Sequence, residues 1–286
     1  MQILIGRLIV LALIIVLNVS QFIHIGLYLV ALLGFLAVLP FLVTRSLRFN
    51  ARMSSYRNVR LDFVGRVSQA IWPVIVLPIL VVLSLYTTTP FLERAFKRFV
   101  ANNHRYGGKA FHFDVKIGKL YKPFLIVAGL TIVAFIIIGF LLTSIAQVFA
   151  RALVENNPFS IGFIITIAAI YVVAFLIFIP LAVVYGAMVR NIYFSNTVFD
   201  GQHQFASTLR PFKLLGIALT NMVAILLTFG LMIPWARVRW ARYLASCTAV
   251  VANGDLEEFH HELQSSEGVV SAEYLDGGGF DVGIGV

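Results

Sequence analysis

The stretch FLIVAGLTIVAFIIIGFLLTSIAQVFA, Phe124–Ala150, contains no charged residue. It exceeds the roughly 20 apolar residues that a helix needs to cross about 30 Å of hydrocarbon. Around it lie five further apolar runs, approximately Ile3–Val19, Phe22–Val43, Ile71–Tyr86, Ile161–Val189 and Leu214–Ala236. The 286-residue chain is 60% hydrophobic and 12% charged. Soluble domains carry about twice that share of charge, so a bilayer is the expected solvent. Of all the Lys, Arg, Asp and Glu residues, only Arg7 falls inside an apolar run. It is close enough to the N-terminus to snorkel to the membrane surface. The expected fold class is an all-α polytopic membrane protein.

Met1–Ser20 reads as the first arm of a membrane hairpin rather than a cleaved signal. It lacks a basic start and a small-x-small cleavage site, and the next apolar run follows after only Asn18–Gln21. The single Cys247 excludes an internal disulfide.

Outside the apolar runs, charge falls into blocks of unequal sign. Residues 44–68 are net +5, 91–122 net +6, 190–213 net +2 and 237–253 net +3; residues 150–160 are neutral. The last block, 254–286, holds eight acids and no Lys or Arg. Basic loops stay on the cytoplasmic side. That rule predicts a multi-pass membrane protein with both termini cytoplasmic. It leaves two apolar segments lying between blocks of the same side, 71–86 and 214–236. Each is expected either to cross or to enter and leave on one side. Trp72-Pro73, Pro78 and Pro90 favour re-entry for the first, because proline interrupts helical hydrogen bonding. Gly230 and Pro234 interrupt the second less severely.

The polar blocks repeat. Arg48, Ser55, Asn58-Val59 and Phe63 recur as Arg190, Thr197, Asp200-Gly201 and Phe205, at a constant offset of 142 residues. A shift of 48 from the first block reaches Asn103, Tyr106-Gly107 and Phe111. Gly107-Gly108 and Asp200-Gly201 suit hairpin turns with positive φ at both central positions. Their flanks are rich in aromatic and β-branched residues, so each block reads as a basic helix end running into a short β-hairpin. A fourth turn is expected at Asn253-Gly254. The expected organisation is a two-fold repeat: 1–122 (crossings 3–19 and 22–43, doubtful segment 71–86), then 123–253 (crossings 124–150 and 161–189, doubtful segment 214–236). An acidic cytoplasmic tail, 254–286, follows.

At Gly230-Leu231-Met232-Ile233-Pro234-Trp235-Ala236-Arg237-Val238-Arg239, followed by Arg242-Tyr243, the chain resembles the YjgN-like bacterial inner-membrane family, a domain of unknown function. Arg48–Arg57, Asn102–Gly108 and Phe280–Gly285 carry the same resemblance. It implies a membrane protein and assigns no activity to any residue. Members begin with a soluble strand region, whereas this chain starts at a hydrophobic helix and reads as a shortened member.

Arg45, Arg48 and Arg52 share one helix face by their spacing, as do Arg94, Lys97 and Arg98. These six are the expected contacts for anionic lipid headgroups, at about 1 kcal/mol per basic residue near the surface. Trp235, Trp240 and Tyr243 beside Arg237, Arg239 and Arg242 read as an interfacial anchor. His24, set in an apolar run, reads as a neutral side chain bonded to a neighbouring helix. Glu257, Glu258, His260, His261 and Glu262 lack a zinc-binding motif, and Gly277-Gly278-Gly279 has no following Lys-Ser/Thr. No nucleophile–base set, paired carboxylates or nucleotide motif is present. The expectation is a non-catalytic membrane or lipid-interacting module with no cofactor or metal and no nucleic-acid partner. Its expected partner is the bilayer, through anionic headgroups at the cytoplasmic face. A transporter for neutral or lipid-like cargo is the alternative, since no ionisable residue lies at membrane depth to carry ion coupling.

Overall fold

A computed structural model describes residues 2–57, 59–154 and 161–251. The Asn253-Gly254 turn, the acidic tail 254–286, its Glu/His cluster and Gly277–Gly279 lie outside the described residues. Among the described residues, three helices are long and apolar enough to cross a membrane: Ile25–Arg52, Ile117–Val148 and Ile167–Ser195. The chain divides into two units. One runs to Phe113 and includes the turn Phe199–Gly201; the other comprises Asp114–Val198 and Gln202–Asn253.

The first unit opens with α1 (Gln2–Ile23) and α2 (Ile25–Arg52), which pack on each other. The break between them falls at His24, not at Asn18–Gln21. Within α1, Asn18 and Ser20 are satisfied locally, Asn18 Nδ2 donating to Ile14 O and Ser20 Oγ to Leu17 O. Such back-bonding lets a polar residue stay in a helix. His24 is therefore not a mid-helix residue. Its backbone is extended, and its exposed ring caps α2 by accepting from the Gly26 N–H at 3.0 Å. This is the N-cap arrangement that satisfies an otherwise orphan donor.

From α2 the chain enters β1 (Ser55–Tyr56) and β2 (Val59–Phe63), an antiparallel hairpin. A helical excursion follows: α3 (Val67–Ile71), a π-helical turn at Trp72–Val76, α4 (Leu77–Leu83) and α5 (Thr89–Asn102). The widened turn, where Leu77 N–H reaches back to Trp72 O, sits beside Pro78, which cannot donate to the regular ladder. The chain then returns as β3 (His104–Tyr106) and β4 (Lys109–Phe113), joined through Gly107-Gly108 with φ of 56° and 78°. Both angles are positive, as the expected turn requires. β2 pairs with β3 so that Phe63 faces His104. The excursion between them therefore leaves and re-enters at adjacent, hydrogen-bonded strands.

Under this sheet lies a cluster of Ala51, Phe63, Ala70 and Phe99. Phe63 meets Phe99 edge-on at 5.6 Å and the His104 ring at 5.0 Å. A Cβ on Gly65 would stand 2.5 Å from the Phe63 ring, so no larger residue fits there without displacing it. The turn Phe199–Gly201 closes the unit: Phe199 stacks on Phe111 at 4.6 Å, and Asp200 pairs with Lys109 at 3.0 Å.

The second unit repeats the order of elements. The 38-residue α6 (Ile117–Val154) and 35-residue α7 (Ile161–Ser195) pack together. Next come β5 (Thr197–Phe199) and β6 (His203–Ser207), then α8 (Pro211–Leu227), α9 (Ile233–Ser246) and β7 (Thr248–Val251). Asp200-Gly201 again has positive φ, 52° and 69°. β6 pairs antiparallel with β7, Ser207 opposite Thr248, so this excursion also ends where it began. Its core is Ala187, Leu209 and Leu214, against which Trp240, Tyr243 and Leu244 pack.

Candidate functional site

Each excursion is a helical hairpin whose tip is built by the same bonds. In the first, Tyr86 N–H donates to Val81 O at 2.7 Å and Leu85 N–H to Val82 O at 3.1 Å. In the second, Gly230 N–H donates to Ile225 O at 2.8 Å and Phe229 N–H to Leu226 O at 3.2 Å. The two central residues of each tip lie in the left-handed region: Leu85 and Tyr86 at φ 51° and 66°, Phe229 and Gly230 at 49° and 91°. Ser84 and Thr228 hold the returning helix, their hydroxyls accepting from Thr88 N–H and Met232 N–H. Pro90 and Pro234 stand in the first turn of that helix, where no intrahelical donor is lost. Every partner in the second tip is 144 positions after its counterpart, as 86 to 230 and 81 to 225 show.

The tips are apolar and bare. Leu85 is 84% exposed and Phe229 99%, with Leu83, Tyr86, Leu227 and Leu231 also exposed. In water such a patch marks a surface for a membrane or a partner. At 17 residues, α8 is about 25 Å long at 1.5 Å per residue, short of the hydrocarbon thickness.

Beneath the first tip lies a cleft of about 740 Å³ between α3–α4 and α5. On α5, Phe91, Arg94, Arg98 and Asn102 follow one another at helical spacing along its wall. Facing them are Leu80 and Leu77 toward the tip and Gln69 at the base. The cleft is thus apolar near the tip and polar near the sheet. Of the predicted basic face, Arg94 and Arg98 line it; Lys97 does not.

The second hairpin has a smaller cleft, about 470 Å³, with Asn221 and Arg237 among apolar neighbours. Asn221 is 6% exposed and engaged at both ends, donating to Ala236 O and accepting from Arg239, each at 3.1 Å. Arg239 also donates to Thr220 Oγ1 at 2.7 Å and lies over the Trp235 ring at 5.3 Å. It therefore clamps α9 to α8. Tyr243 ties the base of the hairpin, accepting from Arg210 N–H at 3.3 Å. Arg237 and Arg242 are exposed. The predicted anchor thus divides. Trp240 and Tyr243 pack against the core, Arg239 braces the helices and Arg237 borders the cleft, leaving Trp235 and Arg242 exposed on the helix.

The predicted Arg face on α2 divides as well. Arg48 donates to Phe63 O at 3.3 Å and Gly65 O at 3.2 Å, fastening the helix end to the sheet. Arg52 pairs with Asp62 at 3.3 Å, and exposed Arg45 lies over the Phe41 ring. Arg190, the counterpart of Arg48, is bound more tightly: to Ser207 Oγ at 3.2 Å, Leu244 O at 3.3 Å and Thr248 Oγ1 at 2.7 Å. Its neighbour Asn191 takes the bond to Leu209 O at 2.7 Å. Sequence reasoning did not find these braces. The 142-residue match of Arg48 with Arg190 was the only signal pointing to them.

The family model for the bacterial protein of unknown function DUF898 matches residues 1–277. No curated protein and no solved structure matches the chain. The chain belongs to the DUF898 family, with which the YjgN-like resemblance coincides.

Proposed function

We propose that this DUF898 member is a multi-pass inner-membrane protein that acts as a non-catalytic, lipid-interacting module. In this reading it is a tandem duplication in which each half plants a helical hairpin into the cytoplasmic leaflet. The carrying observation is the pairing of the strands that flank each hairpin, Phe63 with His104 and Ser207 with Thr248. A segment whose two ends are hydrogen-bonded neighbours enters and leaves on one side, and an apolar tip such as Leu85–Tyr86 or Phe229–Gly230 finds its solvent in the acyl chains. The basic blocks flanking the first hairpin, net +5 and +6, support a cytoplasmic position for that side. The matching order of elements and the matching tip bonds support the duplication. Helices of 28, 38 and 35 residues supply three crossings in this reading and the 22-residue α1 the fourth, which leaves both termini on the cytoplasmic side.

The alternative, a conduit for neutral cargo, has less behind it. Asn221, the buried polar side chain of α8, has both its donor and its acceptor taken up by the protein and offers nothing to a cargo.

The test is a set of single-cysteine variants on a Cys247→Ser background, labelled with a membrane-impermeant maleimide in intact and in opened cells. Cysteines placed at Arg57 and Lys109, on the strand side, are expected to label only after opening. Leu85→Cys and Phe229→Cys are expected to resist the reagent in both. Labelling of either tip from the periplasm of intact cells would overturn the re-entrant reading.

A further inference from the structure

We propose that the 740 Å³ cleft of the first hairpin is a binding site for one anionic phospholipid, its phosphate at Arg94 and Arg98 and an acyl chain along Leu77, Leu80 and Phe91. The inference rests on the membrane reading above and adds a ligand to it. Three observations carry it.

The first is the order of chemistry along the cleft. From base to tip its amide, basic and aliphatic lining runs Gln69, Asn102 and Arg98, then Arg94, then Leu77, Phe91 and Leu80, with Trp72 and Phe99 beside the basic end and Thr88 at the tip. A hairpin entering from the cytoplasm therefore presents its basic end at headgroup level and its apolar end at acyl level. That is the orientation a lipid of the same leaflet already has.

The second is charge. No acid is among the lining residues, and the only acid on α5 is Glu93. Two guanidinium groups one helical turn apart offer forked donors that match a phosphate better than point charges do. Arg94 precedes Arg98 on the same face, so both can meet one headgroup.

The third is the contrast with the other hairpin. Its cleft is smaller, its lining holds one Arg, and Asn221 with Arg239 stitches α8 to α9. In the first hairpin the position of Asn221 is taken by Leu77, 6% exposed. A volume of about 740 Å³ lies within the range of small-molecule sites.

The experiment uses the full chain in nanodiscs of mixed phosphatidylcholine and phosphatidylglycerol, with bound lipid counted by native mass spectrometry. The wild-type chain is expected to retain one phosphatidylglycerol in preference to phosphatidylcholine. Arg94→Gln with Arg98→Gln is expected to lower that retention about tenfold or more, since two charge-assisted bonds are lost. Leu80→Trp, which fills the apolar end at unchanged charge, is expected to lower it too. Lys116→Gln with Lys122→Gln removes as much charge at exposed positions outside the cleft and is expected to leave retention near the wild-type level. Wild-type retention in the Arg94/Arg98 variant overturns the site. So does an equal loss in the Lys116/Lys122 variant, which would mean general surface attraction. If Leu80→Trp retains the lipid and glycerol phosphate displaces it, the cleft binds a soluble phosphate and the lipid proposal fails. Thermal unfolding of each variant in the same detergent separates lost binding from lost fold. The cysteine labelling of the tips is read independently, so either proposal can fail alone.

Discussion

The hairpins Val67–Asn102 and Pro211–Ser246 have the same backbone plan and differ in what holds their helices apart or together. Both turn on two left-handed residues and both return to paired strands. In the second, Arg239 reaches across from α9 and closes on Asn221 and Thr220. In the first, Leu77 faces the cleft and the arginines of α5 line a larger space. The same scaffold has thus been pinned in one half and left open in the other. Pinning suits a structural arm, whereas openness beside two arginines suits a site. Variants that close or loosen either half test that contrast.

The largest effect is expected where the first hairpin meets the sheet. Phe63 is 1% exposed and touches both the hairpin, through Phe99, and the strand, through His104. Phe63→Ala should cost about 3–5 kcal/mol, the range for a buried aromatic that leaves a cavity. The check is the midpoint of unfolding in a fixed detergent. A loss below about 1 kcal/mol would show that the hairpin is not seated on this cluster.

Next is the pair of braces. Arg190→Met removes three bonds to Ser207, Leu244 and Thr248, and should cost about 2–4 kcal/mol. Arg48→Met removes two bonds to strand and loop carbonyls on a more exposed helix end, and should cost about 1–2 kcal/mol. Equal losses would contradict the tighter bracing of the second half. Breaking the pin itself is the third test. Asn221→Leu copies the first hairpin into the second and leaves Arg239 with Thr220 and the Trp235 ring. About 1–3 kcal/mol is expected, together with faster proteolysis between α8 and α9.

Much of this architecture was legible in the chain, for a physical reason. Long apolar runs and the paired glycines at 107 and 108 act locally, so periodicity and turn chemistry disclose them without any partner. Prolines 73, 78 and 90 pointed to a broken apolar segment, and the chain there runs through α3, the π-helical turn Trp72–Val76, α4 and α5. The break between α1 and α2 was placed wrongly because Asn18 and Ser20 satisfy themselves on their own helix and leave the cap to His24. The roles of Arg48, Arg190, Arg239 and Asn221 were not legible at all. Each depends on a partner 15 to 58 residues away, and helical spacing cannot distinguish a side chain aimed at lipid from one aimed at a carbonyl. The cleft was half visible. The Arg94–Arg98 face could be read, but the wall opposite it arises only from the turn at Leu85–Tyr86.

That turn supplies the smallest and sharpest test. Tyr86 has φ 66° where its counterpart is Gly230, at 91°. A residue with a Cβ pays about 1 kcal/mol to sit in the left-handed region, and glycine does not. Tyr86→Gly should therefore recover part of that strain, offset by the entropy that glycine adds to the unfolded chain. The net change should lie within about 0.5 kcal/mol of zero, or slightly on the stabilising side. Gly230→Ala has no such offset. Its Cβ would have room, with Ile233 Cδ1 at 3.5 Å as the near neighbour, so the cost is conformational and about 1 kcal/mol. Opposite responses at two positions that share every backbone bond would mean that only φ separates them. If both variants lose stability equally, the Tyr86 ring, 65% exposed in the absence of lipid, has a seat in the bilayer that outweighs its strain. Repeating the pair in lipid nanodiscs and in detergent separates the two causes, because strain is indifferent to the solvent around the ring and a membrane seat is not.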